Sequence, residues 1–65
     1  MTSERAKEIA RDNALFVESV SDYWNYYENL SDMIDSENGT YDDFLGALDV
    51  FDAAVPPAVL KEAMA

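Results

Sequence analysis

Carboxylates are the side chains through which this chain could act chemically, because its 65 residues include 14 Asp and Glu but no Cys or His. Glu28, Asp32 and Asp35 follow the i, i+4, i+7 spacing that places side chains on one face of a helix. Glu18 and Asp22 form a second pair at i, i+4. Carboxylates grouped in this way act as general acids or bases, as ligands of hard cations, or as contacts for a basic partner.

The first two of these roles require features that the sequence lacks. A tuned acid–base pair needs a concave, partly dry site, and a short helical chain has little room for one. The acidic segment DMIDSENGTYDD has the glycine of an EF-hand calcium loop but not its spacing. With Asp35 at the first position, Gly39 falls at the fifth, and Gly46 stands at the twelfth in place of Glu. We therefore expect no enzyme, no cofactor and no metal site.

The distribution of charge favours the third role. The formal net charge is −10, and the four basic residues all lie near the ends of the chain. Between Asp12 and Leu60 there are 11 acids and no Lys or Arg. Nucleic acid and anionic lipid are bound through cations, so we expect no direct contact with nucleic acid or membrane. A field of one sign over such a length serves to attract and orient a partner of the opposite sign.

Carboxylates on a rigid helix, about 5–6 Å apart, approximate the spacing of phosphates along a nucleic acid strand. In composition and size the chain resembles DNA-mimic inhibitors, which are often virus-encoded. The sequence therefore predicts a non-enzymatic acidic protein that binds a basic, nucleic-acid-binding protein, as a phage-encoded anti-restriction or anti-CRISPR protein does. The predicted partner-binding residues are Glu18, Asp22, Trp24, Tyr26, Glu28, Asp32, Asp35, Asp42 and Asp49.

Two other functions fit the same composition. In one, the chain is a small structural or assembly protein that forms homo-oligomers through apolar and aromatic residues, and its acidity serves only solubility. In the other, it is an antitoxin or immunity partner of a basic toxin. Salt separates the first alternative from acid-driven binding, because charge-driven association weakens with salt and an apolar interface does not.

The segment DYWNYYENL carries four aromatic residues within five positions, Tyr23, Trp24, Tyr26 and Tyr27. Helical spacing places Tyr23 and Tyr27 on the apolar side, where they are expected to be core. Trp24 and Tyr26 point to opposite flanks, so at least one of them should be part-exposed or lie at an interface. Stacking on nucleic acid bases is disfavoured because no cation accompanies these rings.

The elements that position these residues are predicted to be helices, since no run alternates with period two. A first helix begins at Thr2 or Ser3 and continues to Ser36, with Gly39 as a left-handed cap. A break is possible at Asp12-Asn13 or at Asn29 to Ser31. The apolar stripe of this long helix, predicted to form the core and a dimer interface, consists of Ile9, Phe16, Val20, Tyr23, Tyr27, Leu30 and Ile34.

A second, shorter helix has clear limits. The spacing of Thr40 and Asp43 resembles a capping box, and Val55, which precedes a proline, is pushed out of helical geometry. A short final helix opens with Pro56-Pro57 and covers Ala58 to Met64. The core face of the second helix is predicted to contain Tyr41, Phe44, Leu48, Phe51 and Val55.

These lengths predict a single all-α domain over residues 1–65, a small bundle with an antiparallel second helix. An unbroken first helix of roughly 33 residues spans about 50 Å, more than twice the length of the second. Either the first helix breaks and closes the bundle, or a second copy covers the rest of the stripe. We favour a homodimer, because a chain this short buries little surface alone. The charged N-terminus and the lack of a long apolar run predict a soluble, cytoplasmic protein.

Overall fold

Four α-helices make up the computed structural model, which describes residues 1–65: α1 (Ser3–Ala14), α2 (Val20–Ser36), α3 (Tyr41–Ala54) and α4 (Pro57–Ala63). There is no β-strand, and the predicted all-α class is confirmed. Helix α1 packs mainly against α3 and also contacts α2, while α4 packs against α2. The chain therefore closes a small core of its own, within overall dimensions of 31 × 19 × 17 Å.

The predicted long first helix is wrong, because the chain leaves helical geometry between Ala14 and Val20. The N–H of Val17 donates to the Ala14 carbonyl at 3.2 Å, which closes a single tight turn. Ser19 is then extended (φ −143°, ψ 170°), and its hydroxyl accepts from the N–H of Asp22 as the N-cap of α2. A helix cannot continue through an extended residue, so α1 and α2 are separate elements.

The break changes the environment of the predicted stripe. Phe16 lies in the connection between α1 and α2 and is 61% exposed, so its assignment to the core stripe is corrected. The adjacent Val17 is only 3% exposed, because the turn after α1 rotates the chain relative to a continuous helix. Val20 and Tyr27 are partly buried. The fully buried members of the stripe are Ile9, Tyr23, Leu30 and Ile34.

Asn13 and Asn29, which lie in the two segments where the sequence left room for a break, join α1 to α2. Asn13 is buried, and its amide donates to the carbonyl of Ile9 at 2.8 Å. Its Oδ1 accepts from the side-chain amide of Asn29 at 2.6 Å. A buried amide is costly without partners, and the bond from Asn29 to Asn13 holds the end of α1 against α2.

The turn between α2 and α3 is a Schellman motif with a different residue in the left-handed position than predicted. Asn38 has φ 61°, whereas Gly39 does not have a positive φ, so the predicted left-handed Gly39 is wrong. The N–H of Gly39 donates to the Ile34 carbonyl at 2.8 Å, and that of Asn38 to the Asp35 carbonyl at 3.0 Å. Gly39 is required for space, because a Cβ there would lie 2.8 Å from the Ile34 oxygen.

The limits of α3 agree with the sequence prediction. Thr40 and Asp43 form the reciprocal capping box, with the Thr40 N–H donating to the Asp43 carboxylate at 2.9 Å. Val55 is extended at the end of the helix, and Pro57 is the first residue of α4. The turn between α2 and α3 places the first turn of α3 beside the last turns of α2.

Candidate partner-binding surface

Four aromatic side chains from α2 and α3 lie in a continuous row, which we call the aromatic band: Trp24, Tyr27, Phe44 and Tyr41. Ring centroids are 5.6 Å apart between Trp24 and Tyr27, and also 5.6 Å between Tyr27 and Phe44. Phe44 and Tyr41 follow at 6.5 Å with their planes 30° apart. These separations allow favourable aromatic pairing, so the band links the two helices.

The ends of the aromatic band are open to solvent. Trp24 is 46% exposed at one end and Tyr41 is 73% exposed at the other, while Tyr27 and Phe44 are partly buried. The prediction that Tyr41 belongs to the core face of its helix is therefore wrong. Tyr41 is the first residue of α3, and its aromatic neighbour in the band is Phe44.

A groove of about 350 Å³ lies between the C-terminal half of α2 and the first turn of α3. Asp32 and Asp35 line it from α2, and Tyr41 and Phe44 line it from α3. Its other lining residues are Ser31, Ile34, Gly39 and Thr40. The groove therefore brings two carboxylates of the predicted binding face together with two rings of the aromatic band.

Most carboxylates of the predicted partner-binding residues accept no hydrogen bond from the rest of the protein. Four acids of the cation-free segment have structural partners: Asp22 at the start of α2, Glu37 with Arg5, Asp43 in the capping box, and Asp52 with Tyr23. The carboxylates of the other predicted acids accept no hydrogen bond and form no ion pair, and they are Glu18, Glu28, Asp32, Asp35, Asp42 and Asp49. Asp22 therefore has a capping role, since its Oδ2 accepts from the N–H of Glu18 at 3.1 Å.

The structure does not bring all the predicted partner-binding residues together. Tyr26 lies away from the aromatic band and stacks on Phe16, with ring centroids 5.8 Å apart and planes at 21°. These two rings line a second groove of about 250 Å³ together with Asp12, Asn13, Asn29 and Met33. Asp42 and Asp49 are exposed on α3 but do not line the first groove. Of the predicted partner-binding residues, only Asp32 and Asp35 line the first groove. Tyr41 and Phe44, which were not among the predicted partner-binding residues, line it as well.

Tyr23 and Asp52 form a second polar contact at the core, besides that of Asn13 with Asn29. The Tyr23 hydroxyl donates to Asp52 Oδ1 at 2.7 Å, which links α2 to α3. Burial, with the neighbouring carboxylate, raises the pKa of Tyr23 well above its ordinary value. The phenol therefore stays neutral and acts as a hydrogen-bond donor that holds the helices together.

The structure has neither a cluster of metal ligands nor a helix that could span a membrane. No three acidic side chains converge in a way that could hold a metal ion. None of the helices is both long and apolar enough to span a bilayer. What the surface can do chemically is to offer unpaired carboxylates beside exposed aromatic rings, and such a combination attracts cationic groups.

Comparison with known proteins identifies no relative. No family model, curated protein or solved structure matches the chain.

Proposed function

We propose that this protein is a non-enzymatic acidic binding protein that presents the face formed by α2 and α3 to a basic, nucleic-acid-binding protein. The observation that carries the proposal is the groove in which Asp32 and Asp35 lie beside the exposed ring of Tyr41. Both ion pairs of the protein involve Arg5, so no cation of the chain neutralises these carboxylates.

The arrangement of the acids has a cost that a partner would explain. Glu28, Asp32 and Asp35 repeat at i, i+4, i+7 along α2, and like charges at such spacings destabilise a helix by about 0.2–0.5 kcal/mol per pair. A surface selected for solubility alone normally mixes both signs and avoids this cost. A cationic partner would relieve the repulsion on binding, and its attraction would also speed encounter.

A partner that normally binds nucleic acid suits this surface better than any other basic protein. Its cationic site is shaped to accept anions spaced along a rigid backbone, and α2 presents carboxylates at a comparable spacing. If the partner has such a site, nucleic acid and the protein compete for it. The protein itself has no cationic surface over most of its length and would not bind the nucleic acid.

The test compares charge reversal in the groove with the same reversal elsewhere. Immobilised protein is used to retain basic proteins at low salt, and the retained protein is purified and titrated. Asp32→Lys with Asp35→Lys should weaken its binding by more than about tenfold, roughly 1.4 kcal/mol. Glu4→Lys with Glu62→Lys makes the same change in net charge at exposed positions away from the groove. Duplex DNA should displace the parent protein from the partner.

Equal losses in the two double variants would mean that total charge, and not this face, is recognised. Failure of duplex DNA to compete would remove the nucleic-acid-binding partner from the proposal. The helical content of each variant, measured by circular dichroism, checks that loss of binding does not reflect unfolding. We expect it to be unchanged or slightly raised in the groove variant, because repulsion along α2 is relieved.

The second candidate function is assembly through self-association. The observation that favours it is the connection between α1 and α2, where Leu15 is 78% exposed and Phe16 is 61% exposed. Exposed apolar residues side by side are candidates for contact with a second copy. This surface is separate from the first groove, so a homodimer would leave the acidic face available.

A further inference from the structure

We infer that the groove between α2 and α3 binds an arginine side chain of the partner. This inference rests on the proposed function and names the chemical group that the face recognises. Two features of the groove restrict its occupant: the two carboxylates on the α2 side and the aromatic rings on the α3 side.

The carboxylates match the donor pattern of a guanidinium group. Asp32 and Asp35 are at i, i+3 on α2, a spacing that places their Cβ atoms about 5–6 Å apart. A guanidinium carries five N–H donors in a fixed plane, so a single group can donate to two carboxylates at once. Neither carboxylate of the groove is occupied by a donor of the protein.

The aromatic side of the groove distinguishes arginine from lysine. Tyr41 is 73% exposed, pairs with Phe44 at 6.5 Å and lines the groove, so its ring is accessible to a ligand there. A guanidinium is planar and weakly hydrated, and it stacks on aromatic faces while its edge donates to carboxylates. An ammonium group is a strongly hydrated point charge and would gain less from the same ring.

Other occupants fit the groove less well. An apolar side chain would desolvate Asp32 and Asp35 without supplying a hydrogen-bond donor, which is unfavourable for charged groups. A metal ion would need more converging ligands than the groove offers. A phosphate or a carboxylate would be repelled. Charge complementarity and the aromatic wall therefore point to the same group, a guanidinium.

The test uses argininamide and lysinamide, two small probes that carry the same charge, and follows backbone amide signals of the protein by NMR. Argininamide should shift the signals of Asp32, Asp35, Thr40 and Tyr41 along saturable curves. Lysinamide should bind several-fold more weakly at the same ionic strength. Equal affinity of the two probes, or shifts spread over all the acidic residues, would overturn the inference.

Variants locate the binding within the groove. Asp32→Asn with Asp35→Asn should weaken argininamide binding by about tenfold or more. Glu4→Gln with Glu62→Gln removes the same charge from exposed residues of α1 and α4 outside the groove and should change the affinity little. Tyr41→Ala should weaken argininamide binding several-fold. Tyr41→Phe should bind argininamide with nearly the affinity of the parent, because it retains the ring. Equal effects of the two charge-removing variants would contradict an arginine site.

The outcome of this test can be separated from that of the proposed function. Saturable binding of argininamide in the groove supports the inference even if no basic protein is retained, and in that case the proposed function alone fails. Conversely, a basic partner that depends on Asp32 and Asp35, together with argininamide that does not bind, overturns the arginine site. The acidic face would then be recognised through other cationic groups.

Discussion

At the residue scale, Arg5 is the side chain on which both ion pairs of the protein depend. Its guanidinium donates to Glu8 on the same helix and to both carboxylate oxygens of Glu37, at 3.1 Å and 3.0 Å. The second contact joins α1 to the turn that follows α2. Arg5, one of the four basic residues of the chain, therefore stabilises the fold, and it lies far in sequence from the acidic face.

The Arg5–Glu37 contact predicts a specific dependence of stability on pH. Hydrogen bonding to Arg5 holds the pKa of Glu37 below its ordinary value in the folded state. The stabilisation is therefore present above the unfolded pKa, about 4.3, and is lost as pH falls through the lower folded pKa. Glu37→Gln should be less stable than the parent at neutral pH, and this difference should shrink in acid.

Urea denaturation of both proteins at neutral pH and at about one pH unit below the ordinary pKa of Glu provides the measurement. Glu62→Gln is the matched control, because Glu62 is exposed on α4 and its carboxylate accepts no hydrogen bond and forms no ion pair. The difference in stability between Glu62→Gln and the parent should not shrink in acid as the Glu37→Gln difference does. A Glu37→Gln difference that is constant with pH would show that the carboxylate charge does not contribute.

At the scale of elements, local signals predicted α3 well and the break before α2 poorly. Thr40 and Asp43 cap the start of α3, and Val55 before proline ends it, so sequence neighbours determine both limits. Ser19 and Asp22 have the same spacing as that capping pair. The signal was obscured because apolar residues continue at helical spacing through Phe16, and neither Gly nor Pro marks the connection.

The candidate site was predictable only in part, for a related reason. Helical spacing alone places Trp24, Glu28, Asp32 and Asp35 along one side of α2. The exposure of Tyr41 depends instead on how α1 and α2 pack against α3, and no local pattern specifies this. The groove likewise exists only because the turn after α2 brings the first turn of α3 beside it.

The turn between α2 and α3 gives a prediction at this scale. A Cβ at Gly39 would collide with Ile34 and would lie 2.9 Å from the sulfur of Met1. Gly39→Ala should therefore destabilise the protein by about 1–3 kcal/mol, and Gly39→Val by at least as much. Asn38→Gly should be tolerated or slightly stabilising, because Asn38 already has a positive φ. Thermal unfolding of the three variants measures these effects.

The contrast between the two adjacent positions is the informative part of that experiment. If Gly39→Ala unfolds at the temperature of the parent, the close approach between Gly39 and Ile34 is not a constraint. If Asn38→Gly is the more damaging change, the left-handed residue has been assigned to the wrong position. Either result would also alter the shape expected for the groove, which Gly39 helps to line.

At the scale of the whole molecule, the break between α1 and α2 bears on the expectation of a homodimer. That expectation came from a first helix too long for the second to cover. Because α1 instead folds onto α3, the chain covers much of its own apolar stripe and leaves no long uncovered helix for a second copy. What still favours a homodimer is the exposed pair Leu15 and Phe16.

Salt gives self-association and partner binding opposite signatures. Two copies that each carry a net charge of −10 repel one another, and salt screens this repulsion over a length of about 8 Å at physiological ionic strength. A dimer formed through Leu15 and Phe16 should therefore strengthen as salt is added, whereas the acidic face should release its basic partner. Sedimentation from micromolar to millimolar protein, at low and high salt, measures the first effect.

Phe16→Asp should abolish the dimer without altering partner binding. Phe16 stacks on Tyr26 and does not line the groove between α2 and α3. A folded monomer under all of these conditions would eliminate the assembly function and leave the acidic face as the functional surface.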